Sequence, residues 1–119
     1  MNYPDSLTIK GYPYTVEYVA TPQEVTTEFV AGAWLGICTD NVIRVLAVQE
    51  PFGILDTLLH EILHAIFARN PLLKAAIQSD DLEEPFVGTL AVELAKLLTE
   101  NGWVTTPKKL PTITKRILE

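Results

Sequence analysis

Ile54-Leu55-Asp56-Thr57-Leu58-Leu59-His60-Glu61-Ile62-Leu63-His64-Ala65-Ile66-Phe67-Ala68 is the stretch on which the reading of this chain turns. Leu55, Leu59, Ile62 and Ile66 recur at helical spacing on one stripe. Leu58, Leu63, Ala65 and Phe67 widen that stripe almost all the way round. A helix with so little polar surface is expected to lie between a sheet and other helices. Asp56 is placed to cap its start. Asn70-Pro71 marks its end, since proline cannot continue a helix.

On that apolar helix stand the only two histidines of the chain, as His60-Glu61-Ile62-Leu63-His64, the pattern H-E-x-x-H. Residues four apart stand about 40° apart around a helix axis, so both imidazoles can reach one ion. Neutral imidazole is a good zinc ligand, and the second nitrogen of each ring needs a neighbour to orient it. Glu61 projects beside the pair, where it can take a proton from a water whose pKa the ion lowers to about 7. Chance occurrence of the pattern on a surface helix is the competing reading. The apolar setting weighs against it, because burying two imidazoles and a carboxylate without partners is costly. One metal ion accounts for all three groups together.

Upstream of this helix the chain reads as β. Leu7, Thr8 and Ile9 precede a turn over residues 11–13, and Tyr14, Val16 and Tyr18 alternate with Thr15, Glu17 and Val19. Residues 20–27 fit a loop or the start of a short helix. Residues 34–39 and 42–48 are apolar, β-branched runs around Asp40-Asn41, a hairpin signal, and Pro51 and Gly53 close the strand region. Downstream, residues 72–81 fit a short helix and a polar loop. A second strong helix starts near Glu84-Pro85 and runs through Val87, Leu90, Leu94, Leu97 and Leu98 to a stop at Asn101-Gly102. The expected fold is α+β: a small antiparallel or mixed sheet packed on the H-E-x-x-H helix and on a C-terminal helix that carries a glutamate. Residues 1–103 would form a single domain and residues 104–119 a tail.

The length, 119 residues, suits one core, and 48% apolar with 20% charged residues is a folded composition. A net charge of −6 argues against nucleic-acid and anionic-membrane partners. Lys108, Lys109, Lys115 and Arg116 are too sparse to reverse that. The single cysteine, Cys38, excludes an internal disulfide and a Cys-rich zinc site. The first residues, Met1-Asn2-Tyr3-Pro4-Asp5, lack a basic and an apolar region, so no signal peptide is expected. Nor is any apolar run expected to span a bilayer, because Asp56, His60, Glu61 and His64 interrupt the longest. The expectation is a soluble protein of the cytoplasm.

A catalytic zinc needs a third protein ligand and an open position for water. No histidine is left to supply it. Cys38 lies in the predicted hairpin without supporting signal, which leaves the carboxylates Asp80, Asp81, Glu83 and Glu84. Glu83 projects nearer the centre of the apolar arc of the second helix. Glu84 shares its side with Gly88, Ala91 and Ala95, small residues that let another helix approach closely. That proximity favours Glu84 and leaves Glu83 as the alternative; the bland reading is that both only complement the helix dipole.

These residues resemble the gluzincin group of zinc metallopeptidases, with H-E-x-x-H on one helix and a glutamate ligand on a later one. Thr57-Leu58-Leu59-His60-Glu61-Ile62-Leu63-His64-Ala65 is similar to the active-site helix of very small single-domain members from bacteria and phages. Glu84-Pro85-Phe86-Val87-Gly88-Thr89-Leu90-Ala91 resembles the E-x-x-A-x-x-F-A pattern of ImmA/IrrE-type peptidases, with Val87 and Leu90 in place of Ala and Phe. The metzincin pattern does not fit, since Phe67 and Asn70 stand at its Gly and His positions. The resemblance implies one Zn²⁺ on His60, His64 and Glu84, with Glu61 as general base. It also implies a zincin-like sheet over the active-site helix, with an edge strand that binds extended substrate by strand addition. Residues 42–48 are the candidate edge. The group's oxyanion-stabilising residue has four candidates here: Tyr12, Tyr14, Tyr18 and Arg44.

The function expected is zinc-dependent hydrolysis of a peptide bond in a peptide or protein substrate. The alternative is a weak or inactive zincin fold that binds peptides or proteins around a structural zinc. The tail, with Ile113, Ile117 and Leu118, is long enough to fold back over the cleft as a regulatory segment.

Overall fold

The computed structural model of the protein describes residues 3–25, 35–77, 80–104 and 111–113. Two hairpins supply the strands. In the first, β1 (Ser6–Ile9) and β2 (Tyr12–Val19) are joined by Lys10 and Gly11, with φ of 51° and 84°. In the second, β3 (Gly36–Thr39) and β4 (Val42–Leu46) are joined by Asp40 and Asn41, with φ of 51° and 60°. Both are two-residue turns with positive φ at each central position, the geometry that matches strand twist and that Gly, Asn and Asp adopt most readily. The hairpin expected around Asp40-Asn41 is therefore present. The first turn lies earlier than residues 11–13: Tyr12 and Pro13 belong to β2. Pro13 is tolerated because β2 pairs with β4 only from Thr15 onward.

The four strands form one mixed sheet in the order β1-β2-β4-β3. The hairpins are antiparallel, and β2 and β4 join them in parallel, with Val16 opposite Ile43 and Tyr18 opposite Val45. The single turn α1 (Pro22–Val25) begins the crossover between those two strands. This order corrects the expectation that residues 42–48 form an edge. Both sides of β4 are taken, by β2 and by β3, so among the described residues the free edge on this side of the sheet belongs to β3.

Alternation divides the sheet into two faces. Tyr14, Val16, Tyr18, Ile43 and Val45 point to one face and form the main core with Ile54, Leu58 and Ala65 of the long helix α2 (Pro51–Ala68). Val19 and Leu46 point the other way and pack with Val25 of α1. The helix begins before Asp56, the residue expected to cap it. Pro51 occupies the first turn, where its missing N–H costs nothing, and Glu50 precedes it. By length and composition α2 is long and apolar enough to cross a membrane, contrary to the expectation from its four polar residues. In the fold its apolar stripe faces the sheet.

Asn70 ends α2 and starts α3 (Pro71–Ile77) at once. Its side-chain oxygen accepts from the backbone N–H groups of Leu72 and Leu73 at 3.1 and 3.2 Å, and Pro71 takes the first helical position. The last helix, α4 (Asp80–Glu100), starts one turn earlier than Glu84, so Pro85 lies inside it. The bond Pro85 cannot make falls on the carbonyl of Asp81, an exposed residue that water can serve. The helix ends at Gly102, with φ of 68°, where Trp103 N–H bonds to the Leu98 carbonyl at 3.0 Å. Of the tail, only residues 104 and 111–113 are described, so the fold-back over the cleft lies outside the described residues.

Strand β3 lies unusually close to α2 at Gly36. A Cβ there would stand 2.6 Å from Thr57 Cγ2 and 3.2 Å from both the Arg44 carbonyl and Glu61 Cγ. Thr57 is buried and too short to swing aside. Gly36→Ala is expected to destabilise the protein by about 1–3 kcal/mol, read by urea unfolding. Adding Thr57→Ser, which removes the nearest methyl, should restore part of the loss.

Candidate metal centre

The buried stripe of α2 runs through Ile54, Leu58, Glu61 and Ala65, each about one turn from the next. Glu61 thus lies on the side of the helix that faces the sheet, where it packs against Gly36 of β3. One position back, His60 and His64 turn toward α4. That helix approaches closely because Val87, Ala91 and Ala95, spaced four apart, are all fully buried. Gly88 lies beside them, with His60 Cε1 3.7 Å from where a Cβ would be.

This packing brings His60, His64 and Glu84 together. His60 Nε2 and His64 Nε2 are 3.1 Å apart. One Glu84 oxygen lies 2.7 Å from His60 Nε2, and the other lies 2.8 Å from His64 Nε2. Two ring nitrogens and a carboxylate therefore converge on one point, and three such donors can hold a divalent ion. Glu84 remains well exposed, so solvent reaches this point from its side.

Glu83 has a separate task. It is buried, and its Oε2 accepts from His64 Nδ1 at 2.7 Å, which leaves the Nε2 lone pair directed at the cluster. Its other oxygen accepts from Lys74 Nζ of α3 at 2.8 Å. Burial alone would raise the Glu83 carboxyl, but the bonds from Lys74 and His64 outweigh it and hold the group below the usual carboxylate range. The two glutamates weighed for one role thus occupy two: Glu84 on the Nε2 side, Glu83 behind His64. Asp81 is exposed and outside the cluster.

Glu61 is 7% exposed. Burial pushes its carboxyl up to about 7, with His64 drawing it down and Glu84 pushing it up by smaller amounts. A carboxyl in that range can hold or release a proton near neutrality.

The four oxyanion candidates separate clearly. Tyr18 is in the core, its hydroxyl donating to the Pro4 carbonyl at 2.7 Å. Arg44 pairs with Glu17 at 2.9 Å. Arg44 occupies a strand position that alternates with the core-facing Val16, Ile43 and Val45, so it lies on the sheet face away from α2. Tyr18 lies on the α2-facing side but is buried in the core with its hydroxyl already bonded, so neither residue reaches the cluster. Tyr14 shares a cleft with His64, but its hydroxyl accepts from Arg69 Nε at 3.0 Å, and Tyr12 lies under the Arg69 guanidinium at 3.7 Å. Among the described contacts, none of the four touches the cluster. Cys38 is likewise outside it, half-buried on β3.

Lys74 and Arg69 carried no signal at the level of sequence. The demand for a partner on the second histidine nitrogen pointed to a residue such as Glu83, although the spacing did not name it. Comparison with known protein families, characterised proteins and solved structures finds no match to this chain.

The thiol of Cys38 is pushed up to about 11, chiefly by burial, with Glu61 adding to the rise and Arg69 opposing it. A thiol held protonated is a poor nucleophile and a poor ligand. Alkylation by iodoacetamide at pH 8 is expected to run at least roughly tenfold slower than for a free cysteine. Its rate should still be climbing between about pH 9 and 10, where a free thiol of pKa near 8.5 levels off. Urea should abolish the difference; a native rate equal to that of a free thiol would contradict the assignment.

Proposed function

We propose that the protein is a zinc-dependent peptidase, with His60, His64 and Glu84 as ligands and Glu61 as general base. The observation that carries this reading is the convergence of two Nε2 atoms and one carboxylate beside a buried glutamate. The donor atoms already lie 2.7–3.1 Å from one another, so His60, His64 and Glu84 would need only a small opening to hold one divalent ion together. Two imidazoles and one carboxylate are also a donor set that zinc favours, and they leave its fourth position for water. When bound, the ion would supply a water of lowered pKa and polarise the carbonyl under attack.

The remaining chemistry belongs to the chain. Glu61 accepts the proton of the attacking water and passes it to the departing amine, a task suited to a buried carboxyl beside the cluster. Glu83 fixes His64 in one tautomer, and Lys74 fixes Glu83. The edge of β3, unpaired among the described residues, offers N–H and C=O groups to an extended peptide, and Gly36 places that edge against Glu61. The strand-addition role therefore moves from residues 42–48 to β3. A peptide-binding module around a structural zinc would need the same three ligands, but it has no use for a buried carboxyl at the position of Glu61.

Metal analysis of the purified protein is expected to find near-stoichiometric zinc in the wild type and in Glu61→Gln, and a marked loss in Glu84→Gln. Glu83→Gln should keep the ion with affinity lower by about 10–100-fold. Retention in Glu84→Gln with loss in Glu83→Gln would exchange the two assignments. Against a peptide library, the wild type should cleave and Glu61→Gln should be slower by about 10²–10⁴-fold. Cleavage absent from both, with zinc bound, would leave the binding module.

A further inference from the structure

A cleft of about 320 Å³ opens beside His64, with Tyr14, Cys38, Thr39, Asn41 and Arg69 in its walls. Arg69, the residue that closes α2, is the cation of this cleft. Its Nε donates to the Tyr14 hydroxyl at 3.0 Å and its Nη2 to the Asn41 side chain at 2.7 Å. The guanidinium lies 3.7 Å above the Tyr12 ring, and Lys10 Nζ donates to the Arg69 carbonyl at 3.0 Å. Two tyrosines of β2 and Asn41 of the second turn therefore hold this side chain, and Lys10 of the first turn holds its backbone carbonyl. Yet among the described residues no carboxylate pairs with it, although the chain carries 15 acidic residues against nine basic ones. Asp40 lines the same cleft and is exposed, outside ion-pair distance.

We propose that Arg69 binds a carboxylate of the peptide, so that the cleft selects substrates with a negative charge two or three residues from the bond acted on. This rests on the peptidase reading for the position of the bond. A guanidinium has five N–H donors in a rigid fork, and the two bonds to Tyr14 and Asn41 leave donors for an incoming anion. Held by stacking and by those bonds, it loses little further freedom when it binds one. Arg69 follows His64 by five residues, about 7.5 Å along the helix. An extended peptide advances about 3.3 Å per residue. Strand β3 runs the same way, from Gly36 beside Glu61 to Thr39 in the cleft wall. Tethering of the hairpins alone would account for the bonds to Tyr14 and Asn41. It does not require a cation that, among the described residues, has no carboxylate partner in the cleft wall next to the cluster. The carboxylate has two sources, the C-terminus of the peptide or an acidic side chain.

The test uses the zinc-loaded Glu61→Gln protein and fluorescein-labelled pentaalanine peptides, read by anisotropy: a C-terminal amide, the free acid, and amides with one Glu walked through the positions. One carboxylate-bearing peptide is expected to bind at least about tenfold more tightly than the neutral amide. A preference for the free acid identifies the C-terminus as the source, and a preference for one Glu position identifies a side chain. Added Arg69→Gln should erase the preference, and Arg69→Lys, which keeps charge without the fork, should lose most of it. Affinities within twofold across all peptides would overturn the proposal, as would a preference that survives Arg69→Gln. The peptide comparison needs no change at Arg69, so loss of fold in that variant does not decide the matter. Carboxylate preference in a protein whose wild type cleaves nothing supports the cleft assignment while removing the peptidase. Cleavage by the wild type with no carboxylate preference does the reverse.

Discussion

Two imidazoles on one apolar helix must find partners, and the close packing of α4 on α2 supplies them. Val87, Ala91 and Ala95 are small enough, and regular enough in spacing, to let the two helix axes approach. At that separation the first turns of α4 bring Glu83 and Glu84 to opposite nitrogens of the histidine pair. A larger side chain at Ala91 or Ala95 would push the helices apart and separate the donors before it touched any of them. Site and core are in this sense one contact. The Lys74–Glu83–His64 chain extends it to α3, so three helices share the orientation of a single imidazole.

A second close approach sets the other wall. Gly36 lets β3 lie against α2 at Thr57 and Glu61, which buries the carboxyl and pushes its proton affinity up toward neutrality. Arg69 then fastens the far end of the helix to both hairpin turns. The cleft between these points is bounded by a strand edge, a histidine and a held cation. Its chemistry follows from which residues stop the helix and which turn the strands.

Much of this was legible in local pattern. His60, Glu61 and His64 stand out by spacing, Asp40-Asn41 by turn chemistry, and Asn101-Gly102 by the left-handed stop that a helix needs. The pair Glu83 and Glu84 was legible as a pair, because small residues downstream mark a close-packed face. Its division of labour was not, since two adjacent helical positions differ by only about 100° and the choice depends on where the partner helix lies. Strand order was hidden as well. A hairpin is local, but the parallel joining of β2 to β4 is not, and it makes an apparent edge strand central. The start of α4 is hidden because Pro85 reads as a first-turn residue, whereas the contacts of Glu83 with His64 and Lys74 support an earlier turn. Arg69 and Lys74 act through partners 55 and nine residues away, separations that carry no periodic signal.

Zinc K-edge absorption on the metal-loaded protein reads the identity of the three donors directly. Two imidazole nitrogens and oxygen donors at about 2.0–2.2 Å, and no sulfur, are expected. A sulfur scatterer at about 2.3 Å, the signature of Cys38, or a shell with a single imidazole would contradict that assignment.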